Sequence, residues 1–171
     1  MNHSRWTDVA LRPWSEQDLP LLWRTAGDAS MTEHLGGPEP PEKIAWRHEL
    51  YSTLADSGEG RMFVIVAGPA AESVGRVGYW EREWGGETVW ESGWHVLPEF
   101  QGRGLATLGV ATAMERAREE RRHRSVHAFP AVENLPSNAV CRKVGFELLG
   151  EVEVEFPPGT LMHSNEWRLV L

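Results

Sequence analysis

The run Trp94-His95-Val96-Leu97-Pro98-Glu99-Phe100-Gln101-Gly102-Arg103-Gly104-Leu105-Ala106-Thr107 holds the residues best suited to chemistry in this chain. An apolar stretch stops at Pro98, two glycines flank an arginine, and a helical pattern opens directly from them. The first N–H groups of a helix have no intrahelical acceptor and carry partial positive charge, so they attract phosphate. Gly102 and Gly104 lack a Cβ and let the backbone close around an anion, while Arg103 adds a formal charge. In physical terms this is a cradle for a diphosphate. The competing reading is an ordinary strand-to-helix turn with glycines for geometry alone. A Rossmann dinucleotide site is disfavoured, because the sixth position is Thr107 and a Pro98 loop separates strand from glycines. A P-loop is excluded, since no Gly-Lys-Ser/Thr follows.

Elements that could position this turn are legible on both sides of it. Val9-Ala10-Leu11 reads as a first strand, and Ser15 with Asp18 opens a helix carrying Leu19, Leu22 and Trp23. Three glycines and three prolines make Gly27 to Pro41 a loop, and Glu42 to Asp56 follows as a helix. Arg61 to Ala67 is a β-branched run and reads as a buried strand. Val74 to Trp84 and Glu87 to Leu97 are two more strands, joined at Gly85-Gly86 as a hairpin. Gly104 to Arg121 is a helix, Ser125 to Phe129 a strand, and Pro136 to Val144 a short helix closed by Gly145. Phe146 to Phe156 and Asn165 to Leu171 are the last strands, with Pro157-Pro158-Gly159 between them. The order β-α-α-β-β-β-α-β-α-β-β predicts one mixed α/β (α+β) domain over residues 1–171, built on a single sheet.

Composition bounds the partners. The 171 residues suit one core. The lone Cys141 forbids an intramolecular disulfide and fits a reducing compartment. Met1 to Arg12 has no apolar segment of a secretory leader, and the run Met62 to Ala71 falls far short of the ~20 residues of a membrane helix. A cytoplasmic location with no membrane partner is therefore expected. A net charge of -8 argues against nucleic acid and favours a cationic partner such as an amine. His123 and His127 have metal-like spacing but straddle a helix-to-strand junction, so no metal site is expected.

Gln101-Gly102-Arg103-Gly104-Leu105-Ala106 resembles the Q/R-x-x-G-x-G/A signature of the GNAT acyl-CoA-dependent N-acyltransferases. About 30 residues on, Asn134-Leu135-Pro136-Ser137 leading to Gly145-Phe146 is similar to that family's second signature, N-x-x-S/A…G-F. Glu91-x-Gly93-Trp94 with Asn134-x-x-Ser137 resembles the ribosomal-protein N-terminal acetyltransferase (RimJ/RimL-like) branch. The resemblance implies a sheet of about seven strands, helices on both faces and one splayed pair of parallel strands. It also implies that acetyl-CoA is the cosubstrate and that its acetyl group passes to a primary amine of a small molecule or protein N-terminus, by direct attack in a ternary complex. The backbone of Trp94, His95 and Val96 would pair with the pantetheine arm, the Val96 N–H pointing at the thioester carbonyl. Gln101 and the segment Gly102, Arg103, Gly104, Leu105, Ala106 and Thr107 would hold the diphosphate, and Asn134 would bind the arm. A homodimer is an expectation of the resemblance alone.

Thioester aminolysis needs a neutral amine, while a lysine-like amine has a pKa of ~10.4 and an α-amine ~8. The family's usual glutamates would fall at Trp90 or Phe129, both aromatic here, which leaves Glu91, His95 and Glu155 as candidate bases. The family's tyrosine donor position is Cys141, read here as a small core residue, so Ser137 is the candidate donor to the departing thiolate. Period-two alternation puts Glu91, Gly93 and His95 on one strand face and Trp90, Ser92, Trp94 and Val96 on the other. Trp80, Trp84, Trp90 and Trp94 are either core or the walls of an acceptor pocket, and Glu81, Glu83 and Glu87 either attract an amine or form a charged hairpin rim. With both usual glutamates replaced, a non-catalytic acyl-CoA-binding sensor or interaction module is the alternative.

Overall fold

The structure, a computed structural model, describes residues 8–171; the first part of the segment read for a leader, residues 1–7, lies outside them. Seven strands and four α-helices follow one another as β1 (Val9–Pro13), α1 (Leu19–Ala26), α2 (Pro41–Ser57), β2 (Gly60–Ala67), β3 (Glu72–Trp84) and β4 (Glu87–Val96), then α3 (Leu105–Glu120), β5 (Ser125–Ala128), α4 (Leu135–Val144), β6 (Glu147–Glu155) and β7 (Leu161–Val170). One sheet holds all the strands in the order β1-β2-β3-β4-β5-β7-β6. Every neighbouring pair is antiparallel except β4 and β5.

Local chemistry explains the boundaries. The Ser15 N–H donates to Asp18 Oδ2 at 2.8 Å, and Arg12 grips the same carboxylate with contacts of 3.0 and 2.7 Å, fixing the entry to α1. Pro41 opens α2 at a position where its missing N–H costs nothing. Gly85 and Gly86 turn the β3–β4 hairpin with φ of 60° and 83°, the two positive values that a two-residue turn of matching twist requires. β7 starts at Leu161, four residues earlier than the expected Asn165, because residues 161–164 pair with β6 from Glu155 back to Val152.

Two apolar layers sandwich the sheet. On one face Val77, Tyr79, Trp90 and Val126 meet Val110, Met114, Ala117 and Cys141 of α3 and α4. On the other, Met62 and Val64 meet Leu22, Ile44 and Trp14 against α1 and α2. Each such large side chain, fully buried, contributes about 1.5–3 kcal/mol. Cys141 is wholly buried and burial raises its thiol to about 12, so it is a core residue as read from the sequence.

β3 is drawn tightly onto β4 where the site begins. A Cβ on Gly75 would lie 2.2 Å from the His95 carbonyl oxygen and 3.0 Å from Val96 Cα. Gly75→Ala is therefore expected to destabilise the fold by about 1–3 kcal/mol through forced strand separation, read as a lowered urea midpoint. An unchanged midpoint would mean that the two strands tolerate the added methyl.

Candidate functional site

The parallel pair β4–β5 is joined only at Trp90↔Val126 and Glu91↔His127, after which β4 runs on alone to Val96. In an antiparallel ladder the hydrogen-bonded residues alternate. The Leu97 N–H donates to the Val74 carbonyl at 2.9 Å, and the register continues through Arg76↔His95 and Gly78↔Gly93. His95 and Gly93 therefore turn their backbone groups to β3, whereas Trp94 and Val96 turn theirs away, into the opening beside β5. His95, expected to join Trp94 and Val96 in holding an extended ligand, has its main chain committed to the sheet and offers only its side chain.

Beyond β4 the chain makes a short 3₁₀ turn at Pro98–Phe100 and then the glycine turn. Gly102 and Gly104 have φ of 73° and 76°, with open space where a Cβ would stand. Gly104 is the N-cap of α3 and supplies no side chain to the helix start. Among the described residues, the amides of Gly102, Gly104, Leu105, Ala106 and Thr107 have no protein acceptor. This is the arrangement an oxyanion-rich group requires. Gln101 has a different role from the one expected of it, because its Nε2 donates to the Val96 carbonyl at 2.8 Å and ties the turn to the strand. Arg103 Nη2 donates to the Glu99 carbonyl at 2.9 Å.

Across the opening lies α4. Asn134 caps it, with Oδ1 accepting from the Ser137 N–H at 3.2 Å. The buried Asn138 fixes this helix start. Its Nδ2 donates to the carbonyls of Ala131 (2.9 Å) and Asn134 (2.8 Å), and its Oδ1 accepts from Asn165 and Trp167, both at 2.8 Å. Asn134 and Ser137 thus face β4 over the gap, and both line one cavity of about 770 Å³ that also takes in Trp94, Val96 and the glycine turn.

The cavity continues to the opposite sheet face, under the α1–α2 loop. That loop and the β6–β7 loop meet over it at Gly36, where a Cβ would lie 2.9 Å from Pro157 Cδ. Trp80, stacked across Gly93, and Phe129 form aromatic walls, while Trp90 is core and Trp84 packs on Phe129 at 4.7 Å and bonds Glu166. Glu91 lines the cavity and pairs with Arg82 at 2.7 Å. Glu155 does not line it, and its carboxylate accepts the Gly159 N–H at 2.6 Å in the β6–β7 turn. Glu81 is turned to Arg122 (2.7 Å) and His123 (2.9 Å) near the end of α3, which makes it rim rather than acceptor site. His127 pairs separately with Glu166 at 3.1 Å, so the two histidines of the metal-like spacing face different carboxylates. A group of residues that sequence reasoning did not single out, Arg76, Arg47, Tyr51, Glu39 and Thr25, closes the far end. A charged residue inside the buried run Val74 to Tyr79 was the signal that could have found Arg76.

His95 points into this end with a buried Nδ1 that has no hydrogen-bond partner among the described residues. Burial, with the charges of Arg76 and Arg47 beside it, holds its imidazole well below the ordinary value, so it is neutral in the folded chain. In the unfolded chain it takes up a proton below about pH 6.5. The unfolded state then binds more protons, and stability falls as pH drops through that value, by at most about 1.4 kcal/mol per pH unit for this residue. His95→Gln should accordingly lose less stability than the wild type between about pH 7.5 and about pH 5.5 in urea titrations. Parallel losses in the two proteins would mean that His95 titrates normally.

A search of curated protein sequences gave no match. Among solved structures, the ribosomal-protein α-N-acetyltransferase RimL aligns with a TM-score of 0.78 at 21% identity, covering 96% of this chain and 91% of that one. A spermidine N-acetyltransferase from Vibrio cholerae, in complex with CoA and spermine, aligns at 0.77 and 21%, covering 95% of both chains. The aminoglycoside acetyltransferase AAC(6')-Ib in complex with coenzyme A aligns at 0.75 and 20%, again over 95% of both. At these identities the likeness is one of fold. The family described as "Acetyltransferase (GNAT) domain" matches residues 8–147, a span that includes the strand opening, the glycine turn and the capped start of α4, and the chain belongs to the GNAT acetyltransferase family.

Proposed function

We propose that the protein transfers the acetyl group of acetyl-CoA to a primary amine, by direct attack while both substrates are bound, in the cytoplasm. The observation that carries this reading is the conjunction of a strand whose outward N–H groups have lost their neighbour with the amides of Gly102, Gly104, Leu105, Ala106 and Thr107, which have no acceptor among the described residues. The residues present fit the cosubstrate, because no side chain obstructs the turn at Gly102 or Gly104. Gly102 through Thr107 would hold its diphosphate, and Val96, Trp94 and Asn134 its arm. Acetyl-CoA supplies an acyl group activated as a thioester, so the protein needs no nucleophile of its own. The Trp94 N–H lies two residues farther from the cradle than that of Val96, and is the better donor to the negative charge that develops on the carbonyl oxygen. Glu91, acting through a water, would take the proton from the amine, and the Ser137 hydroxyl would return one to the departing sulfur.

The Glu91–Arg82 ion pair favours one second reading, a protein that binds acyl-CoA without turning it over. Calorimetry and a CoA-release assay with a panel of primary amines separate the two. Acetyl-CoA should bind at micromolar levels and CoA should be released with at least one amine. No binding at hundreds of micromolar sinks both readings, and binding with only slow, amine-independent thioester loss supports the sensor. Gly104→Glu should abolish cosubstrate binding by placing bulk and negative charge in the cradle, and wild-type affinity in that variant would put the site elsewhere. Glu91→Gln should lower kcat about 100-fold with little change in cosubstrate affinity, while an unaltered pH–rate profile would remove Glu91 as the base.

A further inference from the structure

Arg76 is a buried cation that makes no ion-pair contact with a carboxylate among the described residues, although Glu39 lies near it. Its Nε donates to Thr25 Oγ1 at 2.9 Å and its Nη1 to the Tyr51 hydroxyl at 3.0 Å, both neutral oxygens. Among the described residues no carboxylate pairs with it. The neighbouring Glu39 is held by Arg47 through Nε at 2.8 Å and through a second, Nη2 contact, with Lys43 also at 3.6 Å. A buried guanidinium that lacks an anion is costly, by several kcal/mol in general, and proteins seldom keep one without use.

The surrounding groups are donors as well. Thr25 Oγ1 already gives its proton to the Leu21 carbonyl at 3.0 Å, so it can only accept from Arg76. The Tyr51 hydroxyl accepts from Arg76 and, at 3.5 Å, from Arg47, and its own proton has no acceptor among the described residues. His95 stands opposite Arg76 in the β3–β4 register and brings to the same cavity its Nδ1, which has no partner among the described residues and as a neutral imidazole can carry a proton. A guanidinium held only by neutral oxygens, a phenol proton and an imidazole nitrogen therefore line one cavity with no carboxylate hydrogen-bonded to them among the described residues. A wholly cationic acceptor would meet repulsion there.

We propose that the amine acceptor carries a carboxylate a few bonds from its amino group, as an amino acid does, and that Arg76, Tyr51 and His95 bind that carboxylate. The assignment rests on the acetyl-transfer reading for the amine. His95 is one residue along β4 from Trp94, a rise of about 3.3 Å, so the carboxylate and the reacting amine belong to one compact molecule. Three cations, Arg76, Arg47 and Lys43, stand around one carboxylate, Glu39, so the cluster keeps an excess of positive charge that a carboxylate on the acceptor would meet. In the transfer, the amine nitrogen forms the new C–N bond, the C–S bond breaks, the amine loses one proton and the sulfur gains one. The carboxylate is unchanged throughout.

The experiment compares the α-amino acids and β-alanine with their own carboxamides, and with spermidine. Binding is measured by calorimetry on the protein with and without CoA, and turnover by CoA release. At least one acid should exceed its amide by about 10- to 100-fold in affinity and in kcat/KM, the range of a charge-assisted bond. Arg76→Gln should erase that preference by raising KM for the acid while sparing kcat, and Tyr51→Phe should weaken it in part. Should Arg76→Gln fail to fold, the wild-type comparison and Tyr51→Phe still decide. Amides or spermidine bound as well as every acid would overturn the carboxylate subsite. An acid preferred over its amide without any cosubstrate binding would keep the subsite and refute acetyl transfer instead.

Discussion

Two parallel strands that share only two residue pairs and then part create the condition on which the rest of the site depends. A strand inside a sheet normally has both rows of backbone groups filled, and an unfilled row is expensive unless water or a ligand takes it. Here β4 keeps its row toward β3 and loses the other beyond its last pair with β5, Glu91↔His127. Everything nearby follows from that vacancy. The amides of Gly102, Gly104 and Leu105, without an acceptor among the described residues, continue the row into the start of α3, and the capped start of α4 faces it from the side where β5 would have continued. The opening is kept from collapsing by separate devices on each flank, Asn138 with its four hydrogen bonds on one and the close β3–β4 approach at Gly75 on the other.

The sheet also divides the chemistry. Groups that fit an anionic, extended cosubstrate are backbone amides at the strand edge and helix start. The side chains of the proposed acceptor site lie on the face toward α1 and α2, where alternation along β3 and β4 collects Arg76, Trp80, Arg82, Glu91 and His95. The chain as a whole is acidic, at -8, yet its most buried charge inside the cavity is Arg76. Net charge describes the solvated surface and says little about what a desolvated pocket selects.

How much of this was legible in the sequence depended on how local the signal was. The element order, the Gly85-Gly86 hairpin and the Gly102–Gly104 turn are written in residues adjacent in the chain, and the structure has them all. The burial of Cys141 followed from its size and place on a short helix, whereas Trp90, open in the sequence between core and pocket wall, is core. Partnerships across the fold were not legible. Arg76 meets residues 51 and 25 positions away, and Gln101 could be read as a ligand-binding residue because its bond to Val96 depends on how the turn folds back. Glu155 and Glu81 looked available for chemistry for the same reason: their partners, Gly159, Arg122 and His123, are set by turn closure and helix packing rather than by type. Spacing reveals which face a residue takes, but not which neighbour has already claimed it.

The bond from Gln101 to the Val96 carbonyl has a further consequence, for what the opening refuses. A half-paired strand is a template on which any passing polypeptide can add itself, since a peptide brings alternating donors and acceptors at matching intervals. With one side of that carbonyl occupied by an amide from its own chain, an invading peptide would find a donor at Val96 without the acceptor that should accompany it. A slender chain with sparse polar groups is not penalised in this way. The glutamine thus takes up part of the one acceptor at Val96 that an added peptide strand would use, and leaves the Trp94 and Val96 N–H groups turned to the opening.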